Sequence, residues 1–151
     1  MEHESFEKLV QAVRLSFFRL SALGDALHEE EGISTSMRGV LEGIYRNGPQ
    51  SVPQMARARP VSRQFIQQIV NALLEKGLVE LGPNPAHKRS DLVALTDQGR
   101  HLFETVRARE KKLVETHLGD LSEEEAAAAS NILSRLTENL GALQSTFEGE
   151  T

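Results

Sequence analysis

Residues 62–100 read SRQFIQQIVNALLEKGLVELGPNPAHKRSDLVALTDQGR, and this stretch decides the fold. Ile66, Ile69, Val70, Leu73 and Leu74 recur at the three- and four-residue spacing of one helical face, with Ser62 placed to cap the helix and Gly77 to end it. Leu78-Val79-Glu80-Leu81 then reads as a strand, GPNPAHKR as a turn, and Leu92 to Leu95 as the returning strand. Thr96 follows as the cap of another helix, which carries Leu102, Phe103, Val106, Leu113 and Val114. The helix face opposite the apolar stripe holds Gln64, Gln67, Gln68 and Asn71, with Arg63 at its start. Solvated faces more often carry Glu and Lys. Amides add no net charge but donate and accept in pairs, the chemistry that matches adenine N6 and N7, while Arg matches guanine O6 and N7.

Upstream, Ser34 is placed to cap a helix with Met37, Val40, Leu41, Ile44 and Tyr45 on its inner face, stopped by Asn47-Gly48-Pro49. Ser51 and Gln54 have capping-box spacing and open a short helix to about Ala58, which Pro60 is expected to end. Two closely joined helices followed by a hairpin is the order of a winged helix-turn-helix. The expected fold class is therefore mainly α with a small β-hairpin: a winged helix-turn-helix lobe flanked by long terminal helices.

Those terminal helices are read from two apolar stripes. Phe6, Leu9, Val10, Val13, Phe17, Leu20, Leu23 and Leu27 describe one helix of roughly 25 residues. Ser122 and Glu125 again have capping-box spacing, and behind them run Ala129, Ile132, Leu133, Leu136, Leu140, Leu143 and Phe147. Both stripes exceed what a small domain buries, so they are expected to meet a second subunit; an intramolecular helical hairpin is the alternative. The organisation expected is one domain over 1–151, with the winged lobe at about 34–100 and dimerisation segments at about 5–30 and 101–148.

The formal net charge of the 151-residue chain is -5, yet the charge is unevenly spread. Between residues 46 and 90 stand seven cations (Arg46, Arg57, Arg59, Arg63, Lys76, Lys88 and Arg89) against Glu75 and Glu80 alone. A basic middle between acidic ends fits a local nucleic-acid footprint. Lys88 and Arg89 fall on the hairpin turn, where a wing reaches phosphate or the minor groove. A solvated charged turn is the plainer alternative for that pair taken alone.

Other classes fit less well. There is no Gly-rich phosphate loop, no Gly-x-Ser-x-Gly and no His-Glu-x-x-His phrase, so no enzyme is expected. The absence of cysteine removes thiolate chemistry, and the five histidines include no i, i+4 pair, so neither a metal nor another cofactor is expected. No apolar run approaches 18 residues and the first residues, MEHESFEK, are acidic and polar. A cytoplasmic protein without a membrane role is the expectation. The runner-up function is a winged-helix protein-interaction module, which should show aromatic or Met anchors where this helix is polar.

In the run from Val61 to Glu104 the sequence resembles the MarR family of transcriptional regulators. The phrases that carry the resemblance are Leu-x-x-x-Gly-Leu-Val, here Leu73 to Val79, and Leu-Thr-x-x-Gly, here Leu95 to Gly99. Departures are Asn84 and His87 in place of wing acids, Leu81 in place of an Arg, and Arg59-Pro60 where an apolar residue and a Gly are usual. The resemblance implies a homodimer on a near-palindromic operator in double-stranded DNA, a repressor released by a small aromatic or phenolic effector. The residues expected to serve it are Arg63, Gln64, Gln67, Gln68 and Asn71 for base edges, Ser62, Lys88 and Arg89 for phosphate or the minor groove, and Arg57 for a backbone contact.

Overall fold

The structure, a computed structural model, describes residues 3–59 and 61–149. Its elements run α1 (His3–Leu27), α2 (Thr35–Asn47), β1 (Gln50–Ser51), α3 (Val52–Arg57), α4 (Arg63–Glu75), β2 (Val79–Gly82), β3 (Leu92–Leu95), α5 (Asp97–His117) and α6 (Glu123–Gly149). The chain divides into two units, residues 1–107 and 108–151, with the division inside α5.

The helix boundaries follow from side chains that satisfy the first free amides. The Ser34 hydroxyl accepts from the Met37 amide at 3.2 Å, and that of Ser62 from the Phe65 amide at 3.1 Å. Ser51 and Gln54 form a reciprocal capping box, as do Ser122 and Glu125. Gly48 and Gly77, at φ 77° and 67°, take the left-handed turn that ends α2 and α4. After Gly77 the Leu78 amide donates to the Leu73 carbonyl at 3.0 Å, which places Leu78 in the helix stop and moves the start of β2 one residue beyond the sequence expectation. The expectation for Pro60 lies outside the described residues.

The hairpin expected from the sequence is part of a three-stranded antiparallel sheet in the order β1-β3-β2. Val79 pairs with Leu95 and Gly82 with Leu92, while Gln50 pairs with Val93 across the other edge of β3. β1 is two residues long, too short for any periodicity, and its Ser51 also caps α3.

The core of the first unit gathers Val40, Leu41 and Ile44 from α2, Met55 from α3, Ile66, Val70 and Leu73 from α4, Val93 from β3, and Phe103 and Val106 from α5. Two close fits attach its outer helices. At the start of α5, the Thr96 hydroxyl donates to the Gly77 carbonyl at 2.7 Å and accepts from the Gly99 amide at 3.0 Å. Gly99 lies so near the Leu78 carbonyl that a Cβ there would stand 1.9 Å from its oxygen, which gives the Leu-Thr-x-x-Gly phrase its physical reason. At the end of α1, Asp25 accepts from both the amide and the hydroxyl of Thr35, at 2.7 and 2.8 Å. These bonds, the amide's first, hold the Asp25 carboxyl below its ordinary pKa.

Neither terminal helix buries its stripe within the chain. No residue of α1 is buried, and Phe17, Phe18, Leu20, Ile132, Leu140, Leu143 and Phe147 are all exposed.

Candidate nucleic-acid interface

Three elements enclose a groove of about 480 Å³ on the first unit. The N-terminal turn of α3 forms one wall with Val52 and Pro53, α4 supplies Arg63, Gln64 and Gln67, and the base of the wing closes it with Leu81, Arg89 and Asp91. The spacing of α4 explains the grouping. Ile66, Ile69, Val70 and Leu73 are committed to the core, so the polar residues between them turn outward together.

Arg63, Gln64, Gln67 and Arg89 thus share one groove, as the sequence expectation places them. The other candidates stand outside its lining among the described residues. Ser62 is exposed, its hydroxyl oxygen engaged by the Phe65 amide. Gln68 and Asn71 are exposed further round and along the same helix, and Asn71 Oδ1 accepts from Gln67 Nε2 at 2.9 Å. Gln67 is therefore oriented by Asn71 before it meets any ligand. Lys88 is exposed on the loop between β2 and β3 and does not line the groove, and Arg57 is exposed at the end of α3.

The wing turns through Asn84, whose side-chain oxygen accepts from the Ala86 amide at 3.1 Å while its carbonyl accepts from the His87 amide at 3.3 Å. This Asx turn, followed by a Ser90-to-His87 bond of 3.2 Å, carries Lys88 and Arg89 on the loop between β2 and β3.

The seven cations of the basic middle do not all face the groove. Arg46 is paired with Glu42 at 2.9 Å, and the Arg59 guanidinium donates to the Gly39 carbonyl of α2. Sequence reasoning also missed Asp91 and Leu81 as groove residues. Strand alternation alone does not say which face of a three-stranded sheet meets α4, so no local signal marked them. Asp91 is exposed and brings a carboxylate into the same lining as Arg63 and Arg89. No group of three or more His, Asp or Glu side chains able to hold a metal occurs among the described residues, and no described helix is long and apolar enough to cross a membrane.

Comparison with known proteins places this geometry. A family model described as MarR family matches residues 31–90, which run from before α2 to the wing. The transcriptional activatory protein BadR of Rhodopseudomonas palustris is 31% identical over 156 residues, covering 95% of this chain and 88% of that protein. Uncharacterized proteins of Mycobacterium tuberculosis and Mycobacterium bovis are 36% identical over 86 residues, and the match spans only 59% of their length. Among solved structures, a MarR family transcription regulator superposes with a TM-score of 0.78 at 27% identity, covering 94% of both chains. A mutant of Escherichia coli MarR, solved in complex with operator DNA, has the same fold, with a TM-score of 0.76 at 21% identity over 87% of this chain and 95% of that one. The named relatives and neighbours are transcription regulators rather than enzymes.

Proposed function

Because the chain belongs to the MarR family, we propose that it is a sequence-specific regulator of transcription that binds double-stranded DNA as a homodimer on a near-palindromic operator. The observation that carries this is the groove itself: Arg63, Gln64 and Gln67 on one helix face Arg89 at the base of the wing. With α4 in the major groove, Arg63, Gln64, Gln67 and Gln68 read base edges, and Asn71 orients Gln67 and extends the face. Ser62, Lys88, Arg89 and Arg57 hold phosphate or the minor-groove edge and set register without reading sequence.

The whole chain acts as one functional domain, with the winged lobe at about 34–100 and the segments at about 5–30 and 101–148 joining two copies. The exposed apolar residues of α1 and α6 support this, since a monomer would leave both stripes in water. Two copies then present two α4 helices, and a palindrome follows from the two-fold axis. The protein works in the cytoplasm, where the chromosome is accessible.

Regulation is taken to be repression, because a dimer seated over a promoter blocks polymerase by occupancy alone. Release by a small aromatic or phenolic compound follows the family resemblance. BadR is named as an activatory protein, so in vitro transcription from the bound operator decides the sign.

The testing experiment is selection from a random duplex library with the purified protein beside a Gln64→Ala/Gln67→Ala control. Enrichment of a palindrome with half-sites about one helical turn apart, lost in the control, is the expected result. No enrichment together with no salt-dependent binding would favour a winged-helix protein-interaction module.

A further inference from the structure

Arg59 lies in the turn between α3 and α4, where an outward-facing cation would be well placed for phosphate. Its guanidinium instead turns inward and donates through Nη2 to the main-chain carbonyl of Gly39 in α2. The side chain is partly buried. α2 carries glycine at 39 and again at 43, one turn apart, although glycine in a helix interior weakens the helix. Arg59 gives a steric reason for the glycine at 43 and passes Gly39 at ordinary contact distance. A Cβ on Gly43 would stand 3.3 Å from Arg59 Nη2, and one on Gly39 would stand 3.8 Å from it. The same position beside Gly43 lies 3.7 Å from Gln50 Oε1, a side chain of β1.

We infer that Arg59 is a positioning residue for DNA binding. Its guanidinium, seated in the Gly39–Gly43 notch, holds the α3–α4 turn on α2 and so sets the angle at which α4 meets the major groove. This rests on the assignment of α4 as the recognition helix. The chemistry suits arginine. Guanidinium is planar, keeps its charge at any working pH and offers several donors in a fixed fork, whereas lysine offers a single mobile ammonium. α4 is otherwise joined to α3 by a short turn, so a brace on that turn acts on the whole recognition face. Its effect is on the readiness of the surface before DNA arrives.

A positioning role and a phosphate contact differ in their salt dependence, because only the second releases counterions. The test measures affinity for the selected operator across a salt series for the full-length chain and for Arg59→Leu, Arg59→Lys, Gly43→Val and the Gly43→Val/Arg59→Leu double variant. Hydrogen exchange of the DNA-free proteins at the Ala58 and Val61 amides, which bond within this turn to Gln54 and Arg59 carbonyls, gives a second readout. Arg59→Leu is expected to weaken binding roughly tenfold with an unchanged slope of log K against log salt, and to speed exchange at both amides. Arg59→Lys should fall between the parent and Arg59→Leu. Gly43→Val should reproduce most of the loss, and adding it to Arg59→Leu should cost little more, because the valine displaces from the notch the same guanidinium that Arg59→Leu removes.

A slope flattened by about one unit per half-site would make Arg59 a phosphate contact and overturn the inference. So would binding within about twofold of the parent, or losses from Gly43→Val and Arg59→Leu that simply multiply. If the parent protein bound no duplex at all, the functional assignment would fail first, and a faster exchange in Arg59→Leu would leave only a structural brace, without the role in DNA binding.

Discussion

Substitution of Gly99 by Ala puts the junction between the wing and α5 under direct test. The new methyl carbon would stand 1.9 Å from the Leu78 carbonyl oxygen and 2.8 Å from its carbon, where unstrained carbon neighbours sit about 3.5 Å apart. Because the obstruction is backbone, α5 or the start of β2 must move. Overpacking of this kind costs about 1–3 kcal/mol. The same movement stretches the Thr96 amide bond to the Leu78 carbonyl, 3.2 Å, and the Thr96 hydroxyl bond to the Gly77 carbonyl, 2.7 Å. Each is worth about 0.5–1.5 kcal/mol net. Alanine's better helix propensity offsets at most about 1 kcal/mol. The expected net loss is about 2–4 kcal/mol, which lowers the melting temperature by roughly 5–12 °C for a chain of this size. Urea unfolding at one fixed protein concentration reads it as a lower midpoint with an unchanged slope. Gly82→Ala is the control, since a Cβ there meets nothing within 4 Å, and it should stay within about 0.5 kcal/mol of the parent. If Gly99→Ala also stayed within that margin, the close approach would carry no energetic weight and the reasoning would be refuted.

Three further outcomes are expected. Gln67→Ala should relax base preference at one position in each half-site, by about 1–3 kcal/mol of discrimination, whereas Asn71→Ala should produce the smaller change in the selected sequence, because its side-chain oxygen serves to orient Gln67. Acid should loosen the end of α1: the Asp25 carboxyl is held below its ordinary pKa in the folded chain, so its contribution is complete above the unfolded value of about 3.9 and is lost as the pH falls through the lower folded value. Faster amide exchange at Thr35 in that acid window, absent from Asp25→Ala, whose exchange should already be fast at neutral pH, is the corresponding observation. If α1 and α6 join two copies as proposed, Phe18→Glu and Leu140→Glu should each raise the dimer dissociation constant more than tenfold, since each removes about 1.5–3 kcal/mol of apolar burial from that interface; sedimentation equilibrium reads the shift, and an unchanged dissociation constant would contradict the proposed interface.

The features legible in the sequence are those whose cause is local. A capping serine acts on an amide three residues ahead, so Ser34, Ser51, Ser62 and Ser122 could each be read from their neighbours alone, and each caps as expected. The same holds for Gly48 and Gly77, where the chain must turn left-handed. The features that escaped are set by partners distant in sequence. β1 exists because Gln50 and Ser51 lie along Val93 and Leu92. Arg59 is one of seven cations in a basic segment of the sequence, and only the fold offers it the Gly39 carbonyl, twenty residues away. The shared outward face of Gln64 and Gln67 could be read from helical spacing, but Asp91 and Leu81 enter the groove only through the packing of the sheet against α4. The Gln67–Asn71 bond is an i, i+4 pair, so helical spacing alone makes the two amides partners as well as members of one surface.

If α4 and the wing together form the proposed DNA-binding surface, the wing cations must set part of the salt dependence of binding. Fluorescence anisotropy of a labelled operator, titrated with the parent protein and with Lys88→Ala/Arg89→Ala at several salt concentrations, gives the slope of log K against log salt. A wing on the phosphate backbone predicts weaker binding at every salt concentration and a slope flatter by about one unit per cation removed in each half-site. Unchanged affinity and slope would contradict it and take the wing out of the interface.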